Sequence, residues 1–287
     1  GFKPEPYPQQ QKKEQRIAVV GAGPAGMGCA EELAKMGYPV TLFDAYEQPG
    51  GLLTYGIPNF KLEKSVVMRR MKWLEEMGVK FRGGHRLGRD CTIESLQADG
   101  YAAVFLGFGA MQPRTGGFTV DEHPGALLAI EFLIANNLSR AGVVKTNLTP
   151  FDLTGKDVLV LGGGDTAMDC CRTSIRSGAA RVRCLYRRGE EQMPGSRREV
   201  VSAKEEGVEF VYYKQPAAMR TTGDKLELDV HSCTVGEDGK LQTDTSSVET
   251  LRVDNAIVAF GFGCDDELTK ELGIEASDNS RIVVDEQ

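Results

Sequence analysis

Ile17-Ala18-Val19-Val20-Gly21-Ala22-Gly23-Pro24-Ala25-Gly26 runs from four apolar residues straight into a turn with glycine at its first, third and sixth places. Val158-Leu159-Val160-Leu161-Gly162-Gly163-Gly164-Asp165-Thr166-Ala167 does the same later in the chain, with alanine at the sixth place. Such a turn needs its glycines for separable reasons. One makes the tight strand-to-helix corner, one lets the backbone approach a pyrophosphate, and one lets helix pack close on strand. The pyrophosphate then rests on unpaired N–H groups at the helix N-terminus, where the dipole also favours negative charge. A lone pattern of this kind is weak. Here an apolar strand precedes each turn and an amphipathic helix follows, carrying Ala30, Leu33 and Ala34 in one case and Met168, Cys171 and Ile175 in the other. Gly37 and Gly178 stop those helices. Two βαβ units are expected, with nucleotide contacts at Gly21, Gly23, Gly26, Gly162 and Gly164. The competing reading is a pair of glycine turns in an α/β protein that binds no nucleotide.

What separates the two units is the end of the second strand, roughly twenty residues beyond each turn, which faces the adenosine ribose. After Val40-Thr41-Leu42-Phe43 comes Asp44, a carboxylate able to accept hydrogen bonds from ribose hydroxyls, which suits FAD or NAD. After Val182-Arg183-Cys184-Leu185-Tyr186 come Arg187 and Arg188, which could clamp a 2′-phosphate and so suit NADP. The plainer reading of the arginine pair is a solvated strand end.

Composition agrees with an enzyme of two ordinary domains in 287 residues. A net charge of −7 implies no basic surface for nucleic acid. The longest apolar runs, such as Ala102-Ala103-Val104-Phe105-Leu106, are strand-length, so no membrane insertion is expected. The start, from Gly1 to Gln10, has no apolar signal core and reads as an extended Pro/Gln arm, with a cytoplasmic location as the default. The seven cysteines show neither C-x-x-C nor C-x₄-C spacing, and Cys170-Cys171 point to different faces of a helix. Neither a thiol redox pair nor an iron-sulfur or other metal site is expected within the chain. His85, His123 and His231 read as surface or capping residues.

Farther along, Gly50-Gly51-Leu52-Leu53-Thr54-Tyr55-Gly56-Ile57-Pro58 is a glycine-rich loop too apolar for plain solvent exposure. Val67, Met71, Leu74 and Met77 make one stripe of a helix stopped by Gly78. Strands are expected at 79–81, 101–106 and 256–260, a helix over 125–138, and a connecting loop over 146–155. The strands at 101–106 and 256–260 end in Gly107-Phe108-Gly109 and Gly261-Phe262-Gly263, so one plan is used twice: Gly21 to Gly109 is 88 residues and Gly162 to Gly261 is 99. Residues 190–198 form a turn into a charged helix, where Arg197 and Arg198 either belong to a polar connection or add to the phosphate clamp. Residues 220–250 alternate apolar and polar side chains around Gly223-Asp224 and Asp238-Gly239, which reads as antiparallel hairpins inserted in the second domain. The expected domains are an arm at 1–15, a first nucleotide domain at 16–115, a second at 116–252, and a return to the first at 253–287.

Three strings carry a family resemblance: Gly51-Leu52-Leu53-Thr54-Tyr55-Gly56-Ile57-Pro58, Leu161 through Cys170, and Tyr186-Arg187-Arg188 with Met193-Pro194-Gly195-Ser196-Arg197-Arg198-Glu199-Val200. Together they resemble the small (beta) subunit of glutamate synthase, a module similar to parts of dihydropyrimidine dehydrogenase. The resemblance covers nearly the whole chain. It implies a pair of glutathione-reductase-type Rossmann domains of the three-layer ββα kind, FAD in the first and NADP(H) in the second. It further implies hydride passing from nicotinamide to flavin and electrons passing to an iron-sulfur protein or large catalytic subunit.

Carried over residue by residue, the resemblance places FAD contacts at Gly23, Pro24, Ala25, Asp44, Gly51 and Leu52, with Lys61 and the main chain of Leu87 beside them; Gly109 is expected near the nucleotide from the glycine-ended strand alone. It places NADPH contacts at Gly164, Asp165, Thr166, Arg187, Arg188, Ala259, Phe260 and Gly261; Arg197 in the clamp stays one of the two readings of the 190–198 turn. Hydride transfer needs position and electrostatics more than an acid or base, so no catalytic side chain is expected. Members of the family usually carry an N-terminal cysteine-rich domain and a C-terminal Gly-Asp segment that holds the flavin. Neither is in these 287 residues, so a longer polypeptide, a second chain, or impaired FAD binding is expected. The alternative function is a nucleotide-binding structural or sensing subunit without flavin turnover.

Overall fold

The computed structural model describes residues 12–141, 151–275, 277 and 282–283. The chain divides into two compact units, one running to Met111 and resuming at Cys264, the other taking the chain between, from Gln112 to Gly263, apart from a short stretch beginning at Ala141. The first unit holds β1 (Arg16–Val20), α1 (Pro24–Lys35), β2 (Val40–Phe43), α2 (Leu52–Tyr55), α3 (Lys64–Glu76), β3 (Lys80–Arg82), α4 (Ile93–Ala98) and β4 (Tyr101–Leu106). Its strands pair in parallel in the order β3-β2-β1-β4. Alternation along β1 and β2 sends Val19 and Leu42 to one core and Ala18, Val20 and Phe43 to the other. A strand covered on both faces reads as an unbroken apolar run, which is why Ile17–Val20 lacks polar alternation. The first core is closed by Met27 and Ala30 of α1 and by Val67, Met71 and Leu74 of α3, the stripe expected from sequence. Gly37 and Gly78 take φ of +88° and +95° just past α1 and α3, a conformation that ends helices and that side chains resist.

The second unit holds β5 (Gln112–Pro113), β6 (Ala126–Leu128), α5 (Ala129–Ala141), β7 (Asp157–Leu161), α6 (Asp165–Arg176), β8 (Arg181–Tyr186), α7 (Arg197–Glu205), β9 (Glu209–Tyr212), β10 (Lys214–Thr222), β11 (Lys225–Val235), β12 (Leu241–Val253), β13 (Asn255–Val258) and β14 (Phe262–Gly263). β6-β13-β7-β8-β9 form a parallel sheet, and β10-β11-β12 an antiparallel meander. Helices α5, α6 and α7 pack on Val158, Val160, Val182 and Cys184 of one sheet face. Leu226, Leu228 and Val230 of the meander pack on Leu159, Leu161 and Leu185 of the other. The layers are therefore antiparallel sheet, parallel sheet and helices, the ββα stack expected from the family resemblance. In the first unit, α8 (Asp266–Glu271) and α4 supply Leu268 and Leu96 to the second core, and among the described residues no antiparallel sheet covers it.

Three expectations need correction. The helix expected over 125–138 starts only at Ala129, because Ala126–Leu128 pair with Ala256–Val258 as a strand. An apolar run of this length does not distinguish buried strand from buried helix by periodicity. The first domain boundary lies at 111/112, where Gln112–Pro113 pair with Phe262–Gly263. The second falls after Gly263 and not at 252/253, since Ala256 and Val258 register on Leu159 and Leu161 beside the second fingerprint. Residues 1–11 of the expected arm and 146–150 of the expected connection lie outside the described residues.

Two expectations for stability follow from this packing. A Cβ on Gly26 would stand 1.7 Å from the Gly21 carbonyl oxygen. Gly26→Ala should lower the unfolding free energy by about 3 kcal/mol in a denaturant titration, and an unchanged midpoint would mean the helix does not press on its turn. Tyr55 is 1% exposed, stacks on Tyr46 with ring centroids 4.1 Å apart, and accepts a hydrogen bond from Gln48 N–H at 3.0 Å. Burial pushes its phenol pKa up to about 12. The folded state favours the neutral phenol, so this stability is intact below pH about 10 and is lost as pH rises through the folded value. Tyr55→Phe should flatten the alkaline decline in stability; the same slope in both proteins would assign the decline to other groups.

Candidate functional site

In the first unit the fingerprint turn is knitted from backbone. Gly21 has φ +103°, and a Cβ there would stand 2.2 Å from Gly107 O. Gly21 N–H donates to Phe43 O, and Gly107 N–H donates to Val20 O, which binds the ends of β1, β2 and β4 to one another. Gly23 is the N-cap of α1, makes no side-chain cap, and is followed by Pro24 at the first helical position. Its φ of −74° suits any residue, and a Cβ there would have no protein atom within 4 Å. Gly50 N–H donates to Ala22 O, and a Cβ on Gly51 would stand 3.1 Å from Gly23 Cα. The 50–52 turn thus lies directly against the fingerprint.

Asp44 is 6% exposed at the end of β2. Its two oxygens accept hydrogen bonds from Ala22 N–H at 2.7 Å and Tyr46 N–H at 2.8 Å. Burial holds its pKa above the usual carboxylate value, against the opposing pull of those two N–H groups and the Arg86 charge. Asp44 therefore braces the turn, and its two oxygens have lone pairs beyond those that take the Ala22 and Tyr46 amides. The structure brings Gly21, Gly23, Gly26, Asp44, Gly51 and Leu52 into one cluster, with Ala25 exposed on the first turn of α1. Lys61 is exposed before α3, and the Leu87 side chain packs in the core with Ala18 and Val20. Gly109 has φ +77° with open space at its Cβ; Gly107, which sequence reading passed over, is the glycine that meets Gly21.

In the second unit a cavity of about 640 Å³ opens at the C-terminal ends of β7, β8 and β13. β7 begins the unit's repeated plan and has its sequence neighbours on opposite sides, so the cavity occupies the switch point where open α/β sheets bind ligands. Gly162, Gly164, Thr166, Arg187, Arg188, Ala259, Phe260 and Gly261 all line it. Gly162 has φ +139°, and a Cβ there would stand 2.4 Å from Ala259 O. A Cβ on Gly163 would strike the Tyr186 ring at 2.5 Å. Gly164, the N-cap of α6, has φ −89°, no side-chain cap and nothing within 4 Å of a Cβ. Among the described residues neither Arg187 nor Arg188 forms an ion pair, so both guanidinium charges stand uncompensated at the cavity edge.

Two of the expected contact residues, Asp165 and Arg197, are not among those that line this cavity. The Asp165 carboxylate accepts from Ser196 N–H at 2.9 Å, and Gly195 N–H donates to Gly163 O, so Asp165 ties the 193–198 turn onto the fingerprint from outside the cavity wall. Arg197 is exposed at the start of α7 and does not line the cavity. The wall also contains residues that sequence reading missed: Arg114, Phe118, Tyr186, Gln192, Gln215 and Pro216. Tyr186 could have been found from its place before the arginine pair. Gln215 and Pro216 come from β10, and no local motif announces them.

The seven cysteines are free, and Cys170, Cys171 and Cys184 are buried under the second fingerprint. Burial pushes the Cys170 and Cys171 thiols well up, which makes them poor nucleophiles. Among the described residues no three His, Cys, Asp or Glu side chains are grouped to hold a metal, and no helix is long and apolar enough to cross a membrane.

Comparison with known proteins agrees with this geometry. The chain is 43% identical over 281 residues to the glutamate synthase [NADPH] small chain of Halomonas elongata, covering 96% of this chain. It is 42% identical over 280 residues to that of Escherichia coli, covering 94% of this chain. It spans 59% of the length of each of these relatives. Among solved structures, FprA of Mycobacterium tuberculosis in complex with NADPH superposes with a TM-score of 0.72 at 18% identity, over 93% of this chain and 74% of that one, a likeness of fold. The profile of the pyridine nucleotide-disulphide oxidoreductase family matches residues 15–287, and the chain belongs to that family.

Proposed function

We propose that the chain is an NADPH:FAD oxidoreductase module that takes FAD in its first unit and NADPH in its second and exchanges electrons with an iron-sulfur partner. The observation that carries this reading is shared by Gly23 and Gly164. Each caps a helix with an extended φ open to any residue, and each has no protein atom near a Cβ. The fold does not ask for glycine there; a pyrophosphate resting on the backbone does. Beside the first, Asp44 accepts from ribose hydroxyls; beside the second, Arg187 and Arg188 pair with a 2′-phosphate. Thr166 and the Ala259–Gly261 backbone fit the remainder of the dinucleotide, and Gly51 and Leu52 fit the flavin end. The bound cofactors supply the hydride chemistry, and the chain supplies binding, orientation and exclusion of water. No side chain is assigned to proton transfer.

Support for the partner comes from relatives: those named small chains of glutamate synthase, and a 37% identical protein named NADP(+)-dependent formate dehydrogenase subunit beta from Moorella thermoacetica. Their names describe parts of larger assemblies. A cytoplasmic assembly is the reading proposed here, and the free cysteines, without a C-x-x-C pair, favour a route for electrons through a partner over a thiol pair in this chain.

A visible spectrum of the purified protein tests the reading. Flavin bands should bleach faster with NADPH than with NADH; a colourless protein that still binds NADP⁺ would instead support a structural nucleotide-binding subunit. Replacing Arg187 and Arg188 by alanine should shrink the NADPH preference by about 30-fold or more, given the strength of hydrogen bonds between charged groups. An unchanged preference would reject the clamp. Gly164→Ala should weaken NADP⁺ binding in a calorimetric titration while costing about 1 kcal/mol or less of stability, the ordinary penalty at an N-cap. Undiminished affinity would mean that nothing lies against that backbone.

A further inference from the structure

Gly189 follows the arginine doublet and is buried. Its φ of −79° and ψ of 171° are ordinary extended backbone, so conformation does not demand glycine. Neighbours do: a Cβ there would stand 2.4 Å from the Tyr213 hydroxyl and 3.0 Å from Gln192 Oε1. Gly189 N–H donates to Gln192 Oε1 at 2.9 Å, Gln192 N–H donates back to Gly189 O at 3.1 Å, and the Tyr186 hydroxyl donates to Gln192 O at 2.8 Å. Both residues that flank the doublet, Tyr186 and Gly189, are thus bonded to one glutamine, which also lines the cavity.

Tyr213 approaches from the β9–β10 junction. It is the one non-glycine residue at positive φ among the described residues, at +57°. Its N–H reaches Arg188 O at 3.4 Å, and its carbonyl accepts from Cys233 N–H at 2.7 Å. The residue is 45% exposed, so burial of the ring does not account for the strained backbone. Strain of this kind persists where surrounding contacts over-determine a position, and such positions cluster at ligand sites.

We propose that Gln192 and Tyr213 are positioning residues that hold Arg187 and Arg188 in the geometry that selects a phosphorylated adenosine ribose. This rests on the reading of the doublet as a 2′-phosphate clamp. Among the described residues the two guanidinium groups have no carboxylate to orient them, so their aim depends on the backbone from which they hang. Fixing that backbone before the ligand arrives reduces the ordering cost of binding. Gln192 removes the freedom from one side by accepting a buried N–H, and Tyr213 removes it from the other by covering Gly189.

The test is calorimetric titration of the whole chain with NADP⁺ and with NAD⁺. Gln192→Met, which keeps the bulk and loses the acceptor, should weaken NADP⁺ about tenfold and NAD⁺ less than twofold. Tyr213→Gly, which relieves the φ and removes the ring, should do the same without lowering the thermal midpoint, and Tyr213→Phe should recover the lost preference. A purely structural role would weaken both nucleotides alike or move only the midpoint, and either result overturns the inference. The alanine doublet variant separates the two levels. If it loses the preference while Gln192→Met and Tyr213→Gly keep it, the positioning role alone fails; if it keeps the preference, the clamp itself fails and takes the positioning role with it.

Discussion

At both fingerprints a carbonyl oxygen occupies the space where a side chain would begin. Gly107 O fills that space at Gly21, Gly21 O at Gly26, and Ala259 O at Gly162. These approaches let the fingerprint strand, its helix and the neighbouring strand converge on one point. Gly23 and Gly164 stand apart from this packing. The neighbouring glycines build the turn, and these two leave its mouth open.

The two mouths differ in electrostatics for reasons visible in the partners. Asp44 is buried and already engaged by Ala22 and Tyr46 amides, so its charge is spread into the turn that it braces. Arg187 and Arg188 lie at a cavity edge, with no opposing carboxylate among the described residues. A carboxylate bound by amides is a stiff acceptor for hydroxyls, and an uncompensated pair of guanidinium groups is an attractor for a dianion.

Much of this was legible because it is local. The two fingerprints, Asp44, and the arginine pair lie within single βαβ units, where spacing along the chain translates directly into position. The α3 stripe and the Gly223-Asp224 turn were readable for the same reason. Gln215, Pro216 and Arg114 were not, because the topology brings them to the cavity from distant segments. The strand at Ala126–Leu128 was hidden by its brevity: three apolar residues next to an apolar helix carry no period. Arg197 follows the doublet closely in sequence, yet the 193–198 turn, tied down by Asp165, leaves it exposed outside the cavity wall.

The meander of β10, β11 and β12 interrupts the parallel plan between β9 and β13, and at first sight it is an insertion that the nucleotide fold could lose. Its inner face buries Leu159, Leu161 and Leu185, and its first strand forms part of the cavity wall. Excising it would open a greasy sheet to water and remove one side of the binding pocket in the same stroke. The segment is a floor shared by folding and recognition, and a trimmed version of this unit would inherit neither.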